Sequence, residues 1–331
     1  MTSTSFLIIQ TASIGDVILS TALAEKLHVF YPDATIDFVV KKGMENLFSD
    51  HPFIHKVYSW DKSAGKYKNL YHLLKEIRTR KYEYVINVQR FASSGILTAF
   101  SAADHTIGFD KNPLSAFFTK KVKHVINQTQ NIHEVARNQK LITHLTDDKP
   151  ATPTLYPTDR NIQNVALLKT KPYICIAPAS LWFTKQYPKE KWIEFIHHIQ
   201  YDLNIYLLGS KSDQQLCEEI IDLSGRDNIT DLSGKLNFLD SAALMKDAKM
   251  NFVNDSAPMH IASSVNAPVT VIFCSTVPEF GFGPLSADSV IVQTKEYLSC
   301  KPCGLHGYRE CPEKHFKCGY LIEKEELLKR L

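Results

Sequence analysis

The chain has no apolar run approaching the ~20 residues needed to span a bilayer. Its first residues, Met1 to Ser5, lack the basic segment that begins a secretory leader. A cytoplasmic location is therefore expected. Glycine is sparse as well, 13 in 331 residues, and neither half has a turn with the three closely spaced glycines that hold a dinucleotide pyrophosphate. That scarcity argues against a nicotinamide-dependent dehydrogenase. No feature points to nucleic acid, and no cofactor is expected.

Cysteine is unevenly distributed. Cys175, Cys217 and Cys274 stand alone in apolar or helical contexts and read as core residues. The other four cluster as Cys300-x2-Cys303-x7-Cys311-x6-Cys318. This spacing is compatible with tetrahedral zinc, although it is not that of a standard finger. Disulfides are disfavoured in a reducing compartment.

What is present is ordinary for a soluble globular protein, 44% hydrophobic and 22% charged, and 331 residues suffice for two domains. The net charge of +3 hides an asymmetry. Residues 1–150 hold 19 Lys+Arg against 14 Asp+Glu, and the remainder 19 against 21. The basic residues of the first half, among them Lys41, Lys42, Lys66, Lys68, Arg78, Arg80, Lys120 and Lys121, fall on predicted loops and helix ends. They form either an ordinary solvated surface or a face for an anionic partner, a phosphorylated acceptor or an acidic membrane.

Two series of alternating strands and helices run through the chain. The first reads as strands at Phe6–Ile9, Thr35–Val40, Lys56–Tyr58, Tyr84–Val88 and His105–Gly108. The helices between and after them are Val17–Phe30, Met44–Phe48, Tyr67–Arg80, Ser94–Phe100 and His133–Leu145. Leu70, Leu73, Leu74 and Ile77 form one apolar stripe. The polar stretch from Thr146 to Pro153 leads out of this domain, so the expected division is 1–153 and 154–331. The pattern restarts at Tyr173 and continues to Phe273. Both halves imply α/β architecture with an open parallel sheet, in which ligands bind beyond the carboxyl ends of the strands.

Those strand ends supply the candidates. After the first strand, Asp16 opens a helix in Ser13-Ile-Gly-Asp16; it either complements the helix dipole or serves as a general base. Gln89 and Arg90 follow the Tyr84–Val88 strand, and with Lys111 they are candidate acceptor contacts. In the second half, Ser180, Thr184 and Lys185 follow the strand from Tyr173, offering hydroxyls and a point charge for phosphate. Gly209 and Asp213 follow the next strand; Asp213 either caps its helix or binds ribose. Asn254-Asp255-Ser256 ends a further strand, and after Ala257, Pro258 opens the helix that carries His260. Such a junction directs backbone N–H groups and a helix dipole at one point, which suits a phosphate. His260 by itself reads as structural.

Taken together, these segments resemble the ADP-heptose:lipopolysaccharide heptosyltransferases of glycosyltransferase family 9. The matching stretches are Leu7 to Ile18, Thr184 to Trp192, Asn254 to Ala262, Ala267 to Val269, Thr276 to Pro278 and the cysteine-bearing tail. The resemblance implies the GT-B architecture, two doubly wound Rossmann-like domains facing across a cleft, with acceptor in the first and nucleotide sugar in the second. It implies inverting, metal-independent transfer of a sugar from a nucleotide diphosphate to a lipid A–core acceptor, with peripheral contact at the inner membrane. Asp16 becomes the general base. Ser180 and Lys185 become donor contacts, Asp213 a ribose ligand, and Asp255, Ser256, Ala257 and His260 the donor-binding junction. The chain departs from the family pattern where Ala257 and Cys274 replace glycine. A different nucleotide sugar, or a non-catalytic nucleotide- or glycan-binding module, are the alternative readings.

Overall fold

A computed structural model of the protein describes residues 4–63, 65–126 and 131–331. Met1 to Ser3, part of the N-terminal segment considered above, lie outside them. The chain divides into two units, Met1–Tyr156 and Pro157–Leu331. The structural division falls beyond the expected Pro153/Thr154 boundary because residues 154–156 are held by the first unit. Thr154 N donates to Thr21 Oγ1 at 3.0 Å, and the Tyr156 hydroxyl donates to the Glu25 carboxylate at 3.0 Å.

In the first unit the elements are β1 (Ser5–Ile9), α1 (Ile14–Phe30), β2 (Thr35–Lys41), β3 (Ile54–Trp60), α2 (Lys66–Arg80), β4 (Tyr84–Asn87), α3 (Ala92–Ala99), β5 (His105–Phe109), β6 (Lys120–Val122) and α4 (Glu134–Gln139). The six strands form one parallel sheet in the order β3-β2-β1-β4-β5-β6. β1 and β4 are central and apolar, as strands covered on both faces must be. α2 buries Leu70, Leu73 and Ile77, with Leu74 packed beside them. Lys120 and Lys121 do not lie on a loop or helix end as expected. They form β6, an edge strand whose alternating exposure leaves their charges solvated.

The second unit contains α5 (Asp159–Asn164), β7 (Tyr173–Ala177), α6 (Lys189–His197), β8 (Asn204–Leu207), α7 (Gln214–Ser224), β9 (Ile229–Asp231), α8 (Phe238–Lys246), β10 (Met250–Asn254), α9 (Ala257–Ser264), β11 (Val269–Ile272), β12 (Ser289–Val292), α10 (Lys317–Tyr320) and α11 (Lys324–Leu328). Its parallel sheet runs β12-β11-β10-β7-β8-β9. Numbered from its own first strand, this is the order of the first sheet. Each sheet therefore reverses direction between its first and fourth strands, at β1/β4 and at β7/β10, which are the points where such sheets bind ligands. Trp192, Phe195, Phe252 and Ile272 fill the second core.

Cys175, Cys217 and Cys274 are fully buried, as their surroundings in the sequence imply. Of the tail cysteines, Cys318 joins the second core, where burial pushes its thiol up to about 12. All four tail thiols are free. Among the described residues no group of three or more His, Cys, Asp or Glu side chains is arranged to hold a metal ion, so the zinc-compatible spacing is not matched by a convergent ligand set. Among the same residues no helix is long and apolar enough to cross a membrane.

Candidate active site

Each unit presents its candidate residues on both sides of its own switch point. In the first, β1 ends at Ile9 and Ser13 caps α1. The Ser13 backbone N and Oγ both donate to Asp16 Oδ2, at 3.1 and 2.6 Å, and Asp16 N donates back to Ser13 Oγ at 3.4 Å. This is a capping box, so Asp16 does complement the helix start. Only one carboxylate oxygen is used in it. Among the described residues Oδ1 has no hydrogen-bond donor, which leaves it available to take a proton.

Across the switch point, Gln89 is buried at the end of β4 and its Oε1 accepts from Thr11 Oγ1 at 2.7 Å. Its amide Nε2 is buried without a hydrogen-bond partner among the described residues. Such a donor is costly to leave unmet. Arg90 is exposed, its guanidinium 5.9 Å from the Phe91 ring. Phe91, at the N-cap of α3, makes no side-chain cap bond to that helix.

Packing of α4 on α1 adds residues that the sequence reading missed. Glu134 and Arg137, one helical turn apart, pair at 2.9 Å with both side chains largely buried. Burial raises the Glu134 pKa against the pull of Arg137; the Asp16 charge raises it further, while Arg90 lowers it. His124 is held at about 4, first by burial and then by Arg137, Arg90 and Lys111. Arg90 and Lys111 thus act on one half-buried imidazole, and Asp16 acts on a buried ion pair. The only local signal in the sequence is the i, i+3 spacing of Glu134 and Arg137.

In the second unit the segment after β7 is gripped by Asn254 at the end of β10. Asn254 is fully buried; its Nδ2 donates to Pro178 O at 2.8 Å and its Oδ1 accepts from Tyr187 N at 2.9 Å. The grip fixes residues 178–187, which carry Ser180, Thr184 and Lys185. Ser180 is half-buried, and its carbonyl accepts from Gln186 Nε2 at 2.7 Å. Lys185 Nζ lies 2.6 Å from Asp255 Oδ2, an oxygen that also accepts from Thr276 Oγ1 at 2.6 Å. Thr184 is buried with its hydroxyl engaged by Ser275 and Tyr308.

Ser256 is the N-cap of α9, yet its hydroxyl makes no capping bond and donates instead to Asn254 O at 3.3 Å. The helix therefore starts without a side-chain cap, beside a lysine, in the arrangement that receives anions. Ala257 is the first residue of α9 and does not have the positive φ that would call for glycine. Cys274 is buried in the core, where its thiol donates to Gln186 O at 3.6 Å. His260 is buried within α9.

Asp213 caps. Its Oδ2 accepts from Ser210 N and Oγ, both at 2.7 Å. Gly209 lets it approach, since a Cβ there would stand 3.0 Å from Asp213 Cβ.

The description "Glycosyltransferase family 9 (heptosyltransferase)" belongs to the family model that matches residues 70–314. The chain is 28% identical over 278 residues to lipopolysaccharide heptosyltransferase 3 of Escherichia coli, covering 79% of this chain and 81% of that protein. Its fold is similar to that of the E. coli ADP-heptose lipopolysaccharide heptosyltransferase II, with TM-score 0.79, 19% identity and coverage of 98% and 97%. It is also similar to that of E. coli heptosyltransferase WaaC solved with ADP-2-deoxy-2-fluoro heptose, with TM-score 0.69, 19% identity and coverage of 88% and 93%.

Proposed function

The chain belongs to glycosyltransferase family 9, and from that premise we propose that it moves a heptose from an ADP-activated donor to a lipopolysaccharide core acceptor with inversion at the anomeric carbon. The observation that carries this reading is the β7/β10 switch point, where an α-helix without a side-chain cap and the Lys185 ammonium stand together. The solved relative that holds an ADP-heptose analogue supports the choice of donor.

In this reading the diphosphate lies on the second unit. The acceptor hydroxyl oxygen bonds to the anomeric carbon as the bond from that carbon to the phosphate oxygen breaks. Negative charge grows on the departing ADP, where α9 and Lys185 stabilise it. Lys185 is held ready by Asp255, and phosphate oxygens compete with that carboxylate for the ammonium. Asp16 Oδ1 takes the hydroxyl proton late in the reaction. Ser180, Ser256 and Asp213 line the donor side, and Gln89, Arg90 and Lys111 the acceptor side. The glycolipid is met at the cytoplasmic face of the inner membrane, with the excess basic charge of the first unit drawing it in.

Asp16→Asn keeps the cap geometry and removes the base. Transfer should fall by at least about 10²-fold while ADP binding, read by calorimetry, is kept. Turnover at the wild-type rate would refute the assignment.

A further inference from the structure

The cysteine-bearing tail after β12 has no part in the mechanism above, yet it touches the donor side of the second unit closely. Tyr308 N donates to Thr184 Oγ1 at 2.8 Å, and Thr184 N donates to Tyr308 O at 3.1 Å. Ser275 Oγ donates to the same Thr184 Oγ1 at 3.0 Å. The tail is tied to the end of β11 as well, by Cys303 N to Ser275 O at 2.8 Å and Lys301 Nζ to Phe273 O at 3.0 Å.

Gly307 lies against this junction with φ +77. A Cβ on it would stand 2.9 Å from Thr184 Oγ1 and 3.1 Å from Lys185 Cγ, both closer than comfortable packing allows. Its missing side chain is the space occupied by the Thr184 hydroxyl and the stem of Lys185. Gly304 has a similar backbone, φ +68, but a Cβ there would meet only the outer end of the Tyr308 side chain, its hydroxyl at an ordinary 3.4 Å and its Cζ at 3.9 Å. The two glycines share a conformation and differ in what they touch.

We propose that Gly307 and Tyr308 are positioning residues for the donor: the tail sets the path of the backbone at Thr184 and the course of the Lys185 side chain, and so the placing of its ammonium. This rests on the reading of Lys185 as the contact to the donor diphosphate. The Lys185 side chain is largely buried, with Asp255 on one side of its ammonium, so a shift of its stem moves the charge relative to α9. A displacement of a few tenths of an ångström is enough to matter for a group that acts by position.

The test is a mutant cycle read by steady-state kinetics with ADP-heptose and a heptose-accepting truncated glycolipid. The variants are Gly304→Ala, Gly307→Ala, Lys185→Ala and the Gly307→Ala/Lys185→Ala double. Both glycine variants should melt at lower temperature than wild type, because each forces a side chain into a left-handed backbone. Gly307→Ala alone should lose about ten-fold in kcat/KM for donor with the acceptor KM unchanged. That loss should disappear in the Lys185→Ala background. A loss in Gly304→Ala equal to that in Gly307→Ala, or a Gly307→Ala loss that multiplies fully with that of Lys185→Ala, would overturn the proposal. Unchanged donor use in Lys185→Ala would refute the Lys185 reading itself, and positioning through Lys185 would fall with it. If Gly307→Ala does not fold, Gly307→Asn takes its place in the cycle, since asparagine tolerates a left-handed backbone better and still places a Cβ against Thr184 and Lys185.

Discussion

Asp16 and Asp213 occupy the same local structure, a carboxylate three residues after a serine, with Oδ2 closing a capping box. Nothing in either tetrapeptide separates a base from a cap, which is why the sequence left both readings open. The difference lies in the surroundings: Asp16 acts on the buried Glu134–Arg137 pair, whereas Asp213 packs on Gly209. Asp213→Asn should therefore alter kcat for transfer much less than Asp16→Asn, a comparison one assay settles. Another carboxylate is informative about stability. Burial raises the Glu25 pKa to about 7, with the Tyr156 hydroxyl pulling the other way. The folded state thus binds this proton more tightly than the unfolded chain, whose value is near 4.5. The resulting stability is complete below pH 4.5 and lost as pH rises through about 7. Glu25→Gln abolishes the titration. Its melting temperature relative to wild type should rise between pH 5 and pH 8 by roughly 3 °C, and a difference independent of pH would count against a buried proton at Glu25.

At the level of elements, the central strands were legible because burial on both faces makes them continuous apolar runs, as in β1, β7 and β10. The strands absent from the sequence reading, β6, β9 and β12, are all at sheet edges, only three or four residues long and partly exposed. Their pairing with a neighbour defines them, and pairing leaves little trace in so short a segment. The same holds at the candidate site. Positions beyond strand ends were visible from topology alone, but Tyr308 meets Thr184 across 124 positions, and Gly307 among scattered glycines carries no local sign. Asn254 was visible only as the end of a strand, although it is the residue that joins β10 to the segment after β7. Asn254→Ala leaves Tyr187 N and the 178 carbonyl without their partner. It should cost about 2–3 kcal/mol in urea unfolding and weaken donor binding. A stability within experimental error of wild type would refute the clamp.

Across the whole molecule, two sheets of one strand order each carry a switch point furnished with different chemistry. β1/β4 has a carboxylate beside buried charged groups, and β7/β10 has a lysine beside a helix without a side-chain cap. In the proposed reaction nucleotide binding belongs to the second unit. ADP should therefore raise the melting temperature of wild type and Asp16→Asn alike, and UDP, GDP or NAD should not. The identity of the transferred sugar distinguishes a heptosyltransferase from a relative with another donor. The most direct test mixes the protein with ADP-heptose and a panel of other nucleotide sugars, together with truncated glycolipid from the same cell, and identifies by mass spectrometry which donor is consumed. ADP-heptose alone should be consumed, with one heptose added to the glycolipid; consumption of a different nucleotide sugar, or of none, would contradict the proposed function.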